Sequence, residues 1–534
     1  MPIRTALARL CLALAVLLLI APWLASCGDD DDDTPLQEPT SDTKARAREV
    51  FASFHVPDPE RIPSALATNP GEPWGDFTGS EACKRCHEED YAKWRNSFHS
   101  RTLYDATGDT VFGDFTGATT FDQPGTEWIV KPHSSTDPAT GKRRYFMDIR
   151  YRTVEEGGTG DPRKADTYGA GILPAIDGGT TFEVLYAFGN RRHQPYVVRD
   201  SAGQHWVPPV FWDDEHKRWS YDGWRPYVRN CGNCHLTGIR TTDRPWYRDQ
   251  RAIPNTHPSR YNLPPAEEQW AEGAVGCEVC HGPGREHIRA VEKIGVDQYR
   301  KQLAAGTKPP SIYDGKRDTF DRRLDACGQC HNFFTESACT WQPGPNGYSR
   351  DAHYEPLEPI RSAVPPHLRK VKRFYTDGSH MSPCTAIAVY KTSSMYKHGV
   401  GCWECHDAHG TDNWADLKLP ITNNELCIHC HKDLESPEAQ SAHSHHPVGG
   451  SGNLCVECHM ARTMAFSNGI EMMSDRVHNH YFDIPTGRRR PGGPPSACNI
   501  CHDDRTHRWT REQLAAWKQA DEAAAAAGKG AEDK

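Results

Sequence analysis

Sixteen of the twenty cysteines fall into one arrangement, in which two thiols stand three residues apart and a histidine directly follows the second. The eight copies are Cys83-Lys-Arg-Cys86-His87, Cys231-Gly-Asn-Cys234-His235, Cys277-Glu-Val-Cys280-His281, Cys327-Gly-Gln-Cys330-His331, Cys402-Trp-Glu-Cys405-His406, Cys427-Ile-His-Cys430-His431, Cys455-Val-Glu-Cys458-His459 and Cys498-Asn-Ile-Cys501-His502. Two thiols at this spacing can form thioethers to the two vinyl groups of one porphyrin, and the adjacent histidine then reaches the iron as proximal ligand. Structural zinc is the competing reading, yet paired C-x-x-C knuckles do not require a histidine after each second cysteine. Disulfide pairing also leaves the eight histidines unexplained. The sequence therefore predicts eight covalently attached haem c groups.

Each iron then needs a sixth ligand. The chain has 28 histidines, so twenty remain after the proximal set. His99 follows the first motif in Tyr91-x-x-Trp94-x-x-Ser97-x-His99, and His287 follows the third after the turn-forming Gly282-Pro-Gly284. His409 lies three residues beyond His406, a position that aims it at a neighbouring haem and so ties two cofactors together. His398 precedes the fifth motif. His443, His445 and His446 lie upstream of the seventh, and His478 and His480 precede the eighth; His446 and His480 are the candidates taken from these groups. His133 and His257 read as solvent histidines. Methionine numbers only eight, which excludes His/Met ligation as the general scheme. Bis-histidine ligation implies low potentials.

The elements that carry these groups follow from the rest of the chain. Arg4 and Arg9 precede the apolar run Leu10 to Ala21, and Leu24-Ala-Ser-Cys27 places small residues ahead of a cysteine. The run is short for a bilayer span. This pattern resembles the lipobox of bacterial lipoproteins, which predicts a signal peptide over 1–26 and lipidation at Cys27. Asp29 to Asp33 read as a solvated spacer at the start of an acidic, Pro-rich tether over 27–75. The same acidic run resembles surface-export tags. Residues 76–102 carry the first haem segment. The long gap before Cys231 holds strand-like runs, among them Glu127-Trp-Ile-Val-Lys, Arg144-Tyr-Phe-Met-Asp-Ile-Arg-Tyr, Thr181-Phe-Glu-Val-Leu-Tyr-Ala-Phe and Tyr196-Val-Val-Arg. The expected fold is a multihaem cytochrome c of haem-packed short helices and irregular loops. A small antiparallel β module (103–229) is inserted between haems one and two, and a seven-haem region with little regular sheet spans 230–509. Residues 510–534 start as a helix and fade into a tail.

Composition agrees with cofactor-organised packing. Only 37% of the 534 residues are hydrophobic, yet 15 Trp, 19 Tyr and 17 Phe argue against wholesale disorder. A net charge of −9 excludes general nucleic-acid affinity. Cys339 and Cys384 are the unpaired remainder; a disulfide, two inert buried thiols, or a reactive pair near haem four all fit an exported chain.

Gly79-Ser-Glu-Ala-Cys83 through His87, with Trp94 and Ser97-Phe-His99, resembles the cytochrome c-552/c-554 haem domain, as does Trp270-Ala-Glu-Gly-Ala-Val-Gly-Cys277 through Gly284. Phe374-Tyr-Thr-Asp-Gly, Ser394-Met-Tyr-Lys-His-Gly-Val-Gly-Cys402 and Cys405-His406-Asp-Ala-His409-Gly are similar to doubled-CXXCH multihaem cytochromes, and His445-His446-Pro and His480-Tyr-Phe-Asp-Ile-Pro continue the match. The resemblance implies an octahaem cytochrome with nitrite reductase and hydroxylamine oxidoreductase-like haem packing, and His99, His287, His409 and His480 as distal ligands by position. Nitrite reductases end the catalytic motif in lysine, whereas every motif here ends in histidine.

Two functions compete. An exported electron carrier would pass electrons between membrane, quinol-linked donors and a periplasmic or extracellular acceptor, anchored by lipid at the periplasmic face or the outer membrane surface. A multi-electron oxidoreductase of a small nitrogen or sulfur compound would need one open haem. The candidate is the haem at His331, because no histidine follows for 21 residues, with His353, His367, Arg373 and His380 nearby. A subunit of a surface cytochrome assembly differs from the carrier only in its partners, which would be other copies or other cytochromes.

Overall fold

The computed structural model describes residues 75–159, 176, 179–189, 193–214, 216–240, 269–306, 312–317, 319–331, 341–344, 347–350, 375, 379–380, 386–467, 472–488 and 492–532. Two compact units divide the described residues: 486–488 and 498–532 belong to one, and those between 75 and 485 with 492–497 to the other.

In the larger unit, α1 (Glu81–Lys84) and α2 (Glu88–Asn96) flank the first motif. Helix α2 opens with Glu88, Glu89 and Asp90 and closes with Lys93 and Arg95, so its charges oppose the helix dipole at both ends. Among the described residues, ten strands follow between Tyr104 and Pro226. They are β1 (Tyr104–Asp105), β2 (Trp128–Thr136), β3 (Arg143–Tyr151), β4 (Thr180–Ala187), β5 (His193–Gln194), β6 (Tyr196–Arg199), β7 (His205–Val207), β8 (Val210–Asp213), β9 (Arg218–Tyr221) and β10 (Arg225–Pro226). Seven form an antiparallel sheet ordered β10-β7-β6-β4-β3-β2, with β1 also pairing with β4, and β5-β8-β9 form a second sheet.

Alternation explains the register. Tyr145, Met147 and Ile149 of β3 are buried, and Phe182, Val184 and Tyr186 of β4 are buried beside them. Arg144 and Glu183 point outward and pair across the two strands. The core is aromatic: Phe115 meets Tyr145, Tyr196 and Trp219 edge-on at 5.2, 5.2 and 5.3 Å. Each such pair contributes about 0.5–1.5 kcal/mol beyond area burial.

Beyond Cys231 the elements shorten. The helices are α3 (Asn233–His235), α4 (Cys277–His281), α5 (Arg285–Ile294), α6 (Val296–Ala304), α7 (Phe320–His331), α8 (Ala386–Tyr390), α9 (Ser394–Lys397), α10 (Cys402–Cys405), α11 (Glu425–Ile428), α12 (Pro437–Ser444) and α13 (Cys455–His459). Among the described residues the sheet here consists of three two-stranded ribbons: β11 (Thr237–Arg240) with β12 (Gln269–Glu272), β13 (Trp341–Gly344) with β14 (Gly347–Arg350), and β15 (Met464–Ser467) with β16 (Met472–Val477). Two further helices, α14 (Ala497–Cys501) and α15 (His507–Glu532), complete the chain.

The last helix corrects the sequence expectation. The C-terminal stretch does not fade after its first turns but stays helical over 26 residues. Its alanine run carries the highest helix propensity, and the i,i+4 pairs Arg508–Glu512 and Lys518–Glu522 add to it. No helix among the described residues is long and apolar enough to cross a membrane.

Candidate haem attachment and axial-ligand sites

Each motif sits on a single helical turn, or at the end of one, for a local reason. The backbone N–H of the motif histidine donates to the carbonyl of the first cysteine: His87 to Cys83 at 3.0 Å, His406 to Cys402 at 2.9 Å, His431 to Cys427 at 3.0 Å and His502 to Cys498 at 2.8 Å. This i→i+4 bond puts both thiols and the imidazole on one face of the turn. A porphyrin edge can then meet both sulfurs while its iron meets the ring.

The rings are fixed in a ligating tautomer. His281 Nδ1 lies 2.8 Å from the Tyr313 carbonyl, His406 Nδ1 2.9 Å from Ala415 and His459 Nδ1 3.0 Å from Asp483. His235 Nδ1 lies 3.4 Å from Thr102. A carbonyl only accepts, so the proton sits on Nδ1 and the Nε2 lone pair is left for a metal. Burial also disfavours the imidazolium. It lowers the pKa of His235, His281, His287, His406 and His459, brings His331 down to about 4, and brings His480 down to about 3. Neutral imidazole is the form a metal needs.

Among the described residues, five motif histidines lie opposite a second histidine. The pairs are His87 with His287 (centroids 6.5 Å apart), His281 with His409 (6.2 Å), His331 with His99 (6.5 Å), His406 with His480 (6.5 Å) and His459 with His443 (6.1 Å). An iron bound by two imidazoles through bonds of about 2.0 Å puts the centroids roughly 6.3 Å apart, because the ligating nitrogen lies about 1.1 Å from its centroid. The spacing therefore fits one iron between each pair and excludes direct ring stacking.

His99, His287, His409 and His480 all lie in these pairs, and His409 faces His281 rather than its own motif. Among the three histidines upstream of Cys455, His443 faces His459. His446 instead turns its Nδ1 to the Ser444 carbonyl at 2.6 Å, and the exposed His398 turns its Nδ1 to Ser394 at 2.7 Å. Both therefore present Nε2 in the same tautomer. His478 does so as well, through Met460 at 2.7 Å. His235 lies edge-on to Phe188 at 5.5 Å, and His502 packs on Trp509 at 5.1 Å. Of the groups named beside haem four, His380 donates its N–H to Tyr481 Oη. His353, His367 and Arg373 lie outside the described residues, as do Cys27, Cys339, Cys384 and His257. His133 is half-buried, 3.2 Å from Asp148 on the β-sheet.

Motif spacing alone did not reveal how the motifs approach one another. Motif sulfurs approach one another in pairs: Cys83 with Cys277, Cys234 with Cys330, Cys327 with Cys402 and Cys427 with Cys455. Two buried carboxylates hold the first of these contacts. Glu278, inside the third motif, accepts from the N–H groups of Thr78 (3.0 Å), Gly79 (2.8 Å) and Gly284 (2.7 Å). Glu272 accepts from Ser80 Oγ at 2.7 Å and from its N–H at 3.2 Å, and Ser80 Oγ receives the Cys277 N–H at 3.0 Å. Burial raises both carboxyls and brings Glu272 to about 7, against the pull of the Ser80 hydrogen bonds.

The loop after the fifth motif is strained. Ala415 and Asp416 both adopt left-handed backbone (φ +53° and +54°), at about 1–2 kcal/mol each for a residue other than glycine. Burial raises the Asp416 carboxyl, while the Phe98 N–H and the His99 ring pull it back.

Residues 396–436, which span the fifth and sixth motifs, match the family model of the doubled CXXCH motif. This match supports covalent haem c at paired motifs, and with it the class of multihaem c-type cytochromes. Among solved structures, an undecahaem cytochrome from the S-layer of Carboxydothermus ferrireducens aligns at 16% identity and a TM-score of 0.34. The alignment covers 86% of this chain but only 60% of that one, and a likeness this distant carries no argument here. No curated protein matches the chain.

Proposed function

We propose that this chain is an exported octahaem c-type cytochrome that carries electrons between membrane-side donors and a periplasmic or extracellular acceptor. The observation that carries the reading is the set of five histidine pairs at iron-bridging distance. When bound, each haem supplies a one-electron Fe(III)/Fe(II) couple. The chain's own residues attach, orient and enclose it. The sixteen motif cysteines hold the porphyrins and the eight motif histidines are the proximal ligands. His287, His409, His99, His480 and His443 supply the second imidazole to the haems at His87, His281, His331, His406 and His459.

Contacts between motifs support a relay. Sulfur contacts bring motif one to three, two to four, four to five and six to seven. Neighbours in space are thus not always neighbours in sequence. His99 opposite His331 disfavours haem four as an open reactive site. The same reading includes lipidation at Cys27 behind a 1–26 signal peptide, a 27–75 tether, a β module over 103–229 between haems one and two, and redox proteins or a cytochrome assembly as partners.

Low-temperature EPR of the oxidised protein with an optical redox titration is the test. Eight low-spin bis-histidine haems are expected. A high-spin ferric signal that shifts on adding nitrite, hydroxylamine or sulfite would replace this reading with the oxidoreductase.

A further inference from the structure

The loop 406–417 returns to its own motif and grips the segment that carries His99. Gly410 (φ +108°) lies so close to the end of α2 that a Cβ there would sit 2.7 Å from the Lys93 carbonyl and from Ser97 Cβ. His99 Nδ1 lies 3.3 Å from the Ala408 carbonyl, and the Phe98 N–H donates to Asp416 Oδ2 at 3.2 Å. Within the loop, the left-handed turn aims the Ala415 carbonyl at His406 Nδ1, and the Asp407 N–H donates to the Asp416 carbonyl at 2.9 Å. Asp416 is 5% exposed; its Oδ2 accepts from the residue before His99, and its carbonyl from the residue after His406. One residue is therefore tied to the neighbours of two histidines, His99, which faces the fourth motif, and His406 of the fifth, and the sulfurs of these motifs also meet.

We propose that Asp416 is a positioning residue shared by two haems: it sets the rings of His99 and His406, and its negative charge favours the oxidised state of both irons. The inference rests on the reading that these two histidines are axial ligands. Geometry and charge act through different atoms. The backbone turn and Oδ2 hold the segments that carry the rings, whereas the net charge bears on the irons through a poorly solvated interior, where Coulomb interactions are strong. Asparagine separates the two roles. It tolerates left-handed backbone and keeps a side-chain oxygen for the Phe98 N–H, but it carries no charge.

The test compares Asp416→Asn, Asp416→Ala and His99→Ala in the haem-loaded protein by EPR and potentiometric titration. Asp416→Asn should keep the parent low-spin spectrum while two haems become easier to reduce. A tenfold change in the oxidised-to-reduced ratio is expected, which is about 59 mV for a one-electron couple. Asp416→Ala should alter the low-spin spectrum or introduce a high-spin ferric signal. Unmoved potentials in Asp416→Asn, or an unaltered spectrum in Asp416→Ala, would overturn the proposal. Should Asp416→Ala fail to load haem, the potentials of Asp416→Asn decide alone. His99→Ala keeps the two readings apart. If it leaves every haem low-spin, the ligation reading fails; if it creates a high-spin haem while both Asp416 variants match the parent, only the role of Asp416 fails.

Discussion

Single residues decide which imidazole meets which iron. His443 and His446 are both upstream of the seventh motif, and the sequence singled out His446, whereas the ring that faces His459 is His443. His445 between them takes left-handed backbone (φ +54°) at the end of α12, so the chain turns there and only His443 is left facing His459. His443→Ala should therefore convert one low-spin ferric haem to high spin by EPR, while His446→Ala should leave the haem at His459 low-spin. His409→Ala should do the same to the haem at His281, with the fifth motif unaffected. A second test concerns Glu272. Its folded carboxyl titrates near 7 and its ordinary value is 4.5, so the neutral form is the one the fold favours. Stability from this group is complete below about pH 4.5 and is lost as pH rises through about 7, on the order of 3 kcal/mol in all. Denaturant midpoints measured from pH 4.5 to 8 should show this decline in the parent, and Glu272→Gln should flatten it.

At the scale of elements, strands were legible where alternation met turn residues. Arg144-Tyr-Phe-Met-Asp-Ile-Arg-Tyr reads directly as β3 because its inward positions are large and its outward ones mostly charged. The pairing order was not legible, since β6 lies beside β4 and β4 beside β3 through long-range contacts that no local pattern encodes. The C-terminal helix runs over 26 residues because its alanine run favours helix despite the interspersed glycines. Removing the fully buried Met147 side chain should cost about 2–5 kcal/mol, read as a lowered denaturation midpoint by far-ultraviolet circular dichroism. The haem absorption spectrum should stay unchanged, because the core around Met147 contains no motif residue.

For the whole molecule, porphyrins in place of a large aliphatic core account for a long chain that is only 37% hydrophobic. Intact-mass measurement should show eight covalent haem additions, and replacing Cys330 with serine should weaken one attachment without removing the others. The sequence by itself determined the cofactor chemistry, because attachment needs only five consecutive residues and a turn of helix brings them to one face. It also made imidazole the expected second ligand, by the scarcity of methionine. Only the tertiary structure decided which histidine serves which motif and which motifs touch. Those choices depend on chain segments remote in sequence, such as His99 beside His331 and Glu272 beside Ser80, which are brought together by buried hydrogen bonds and packing.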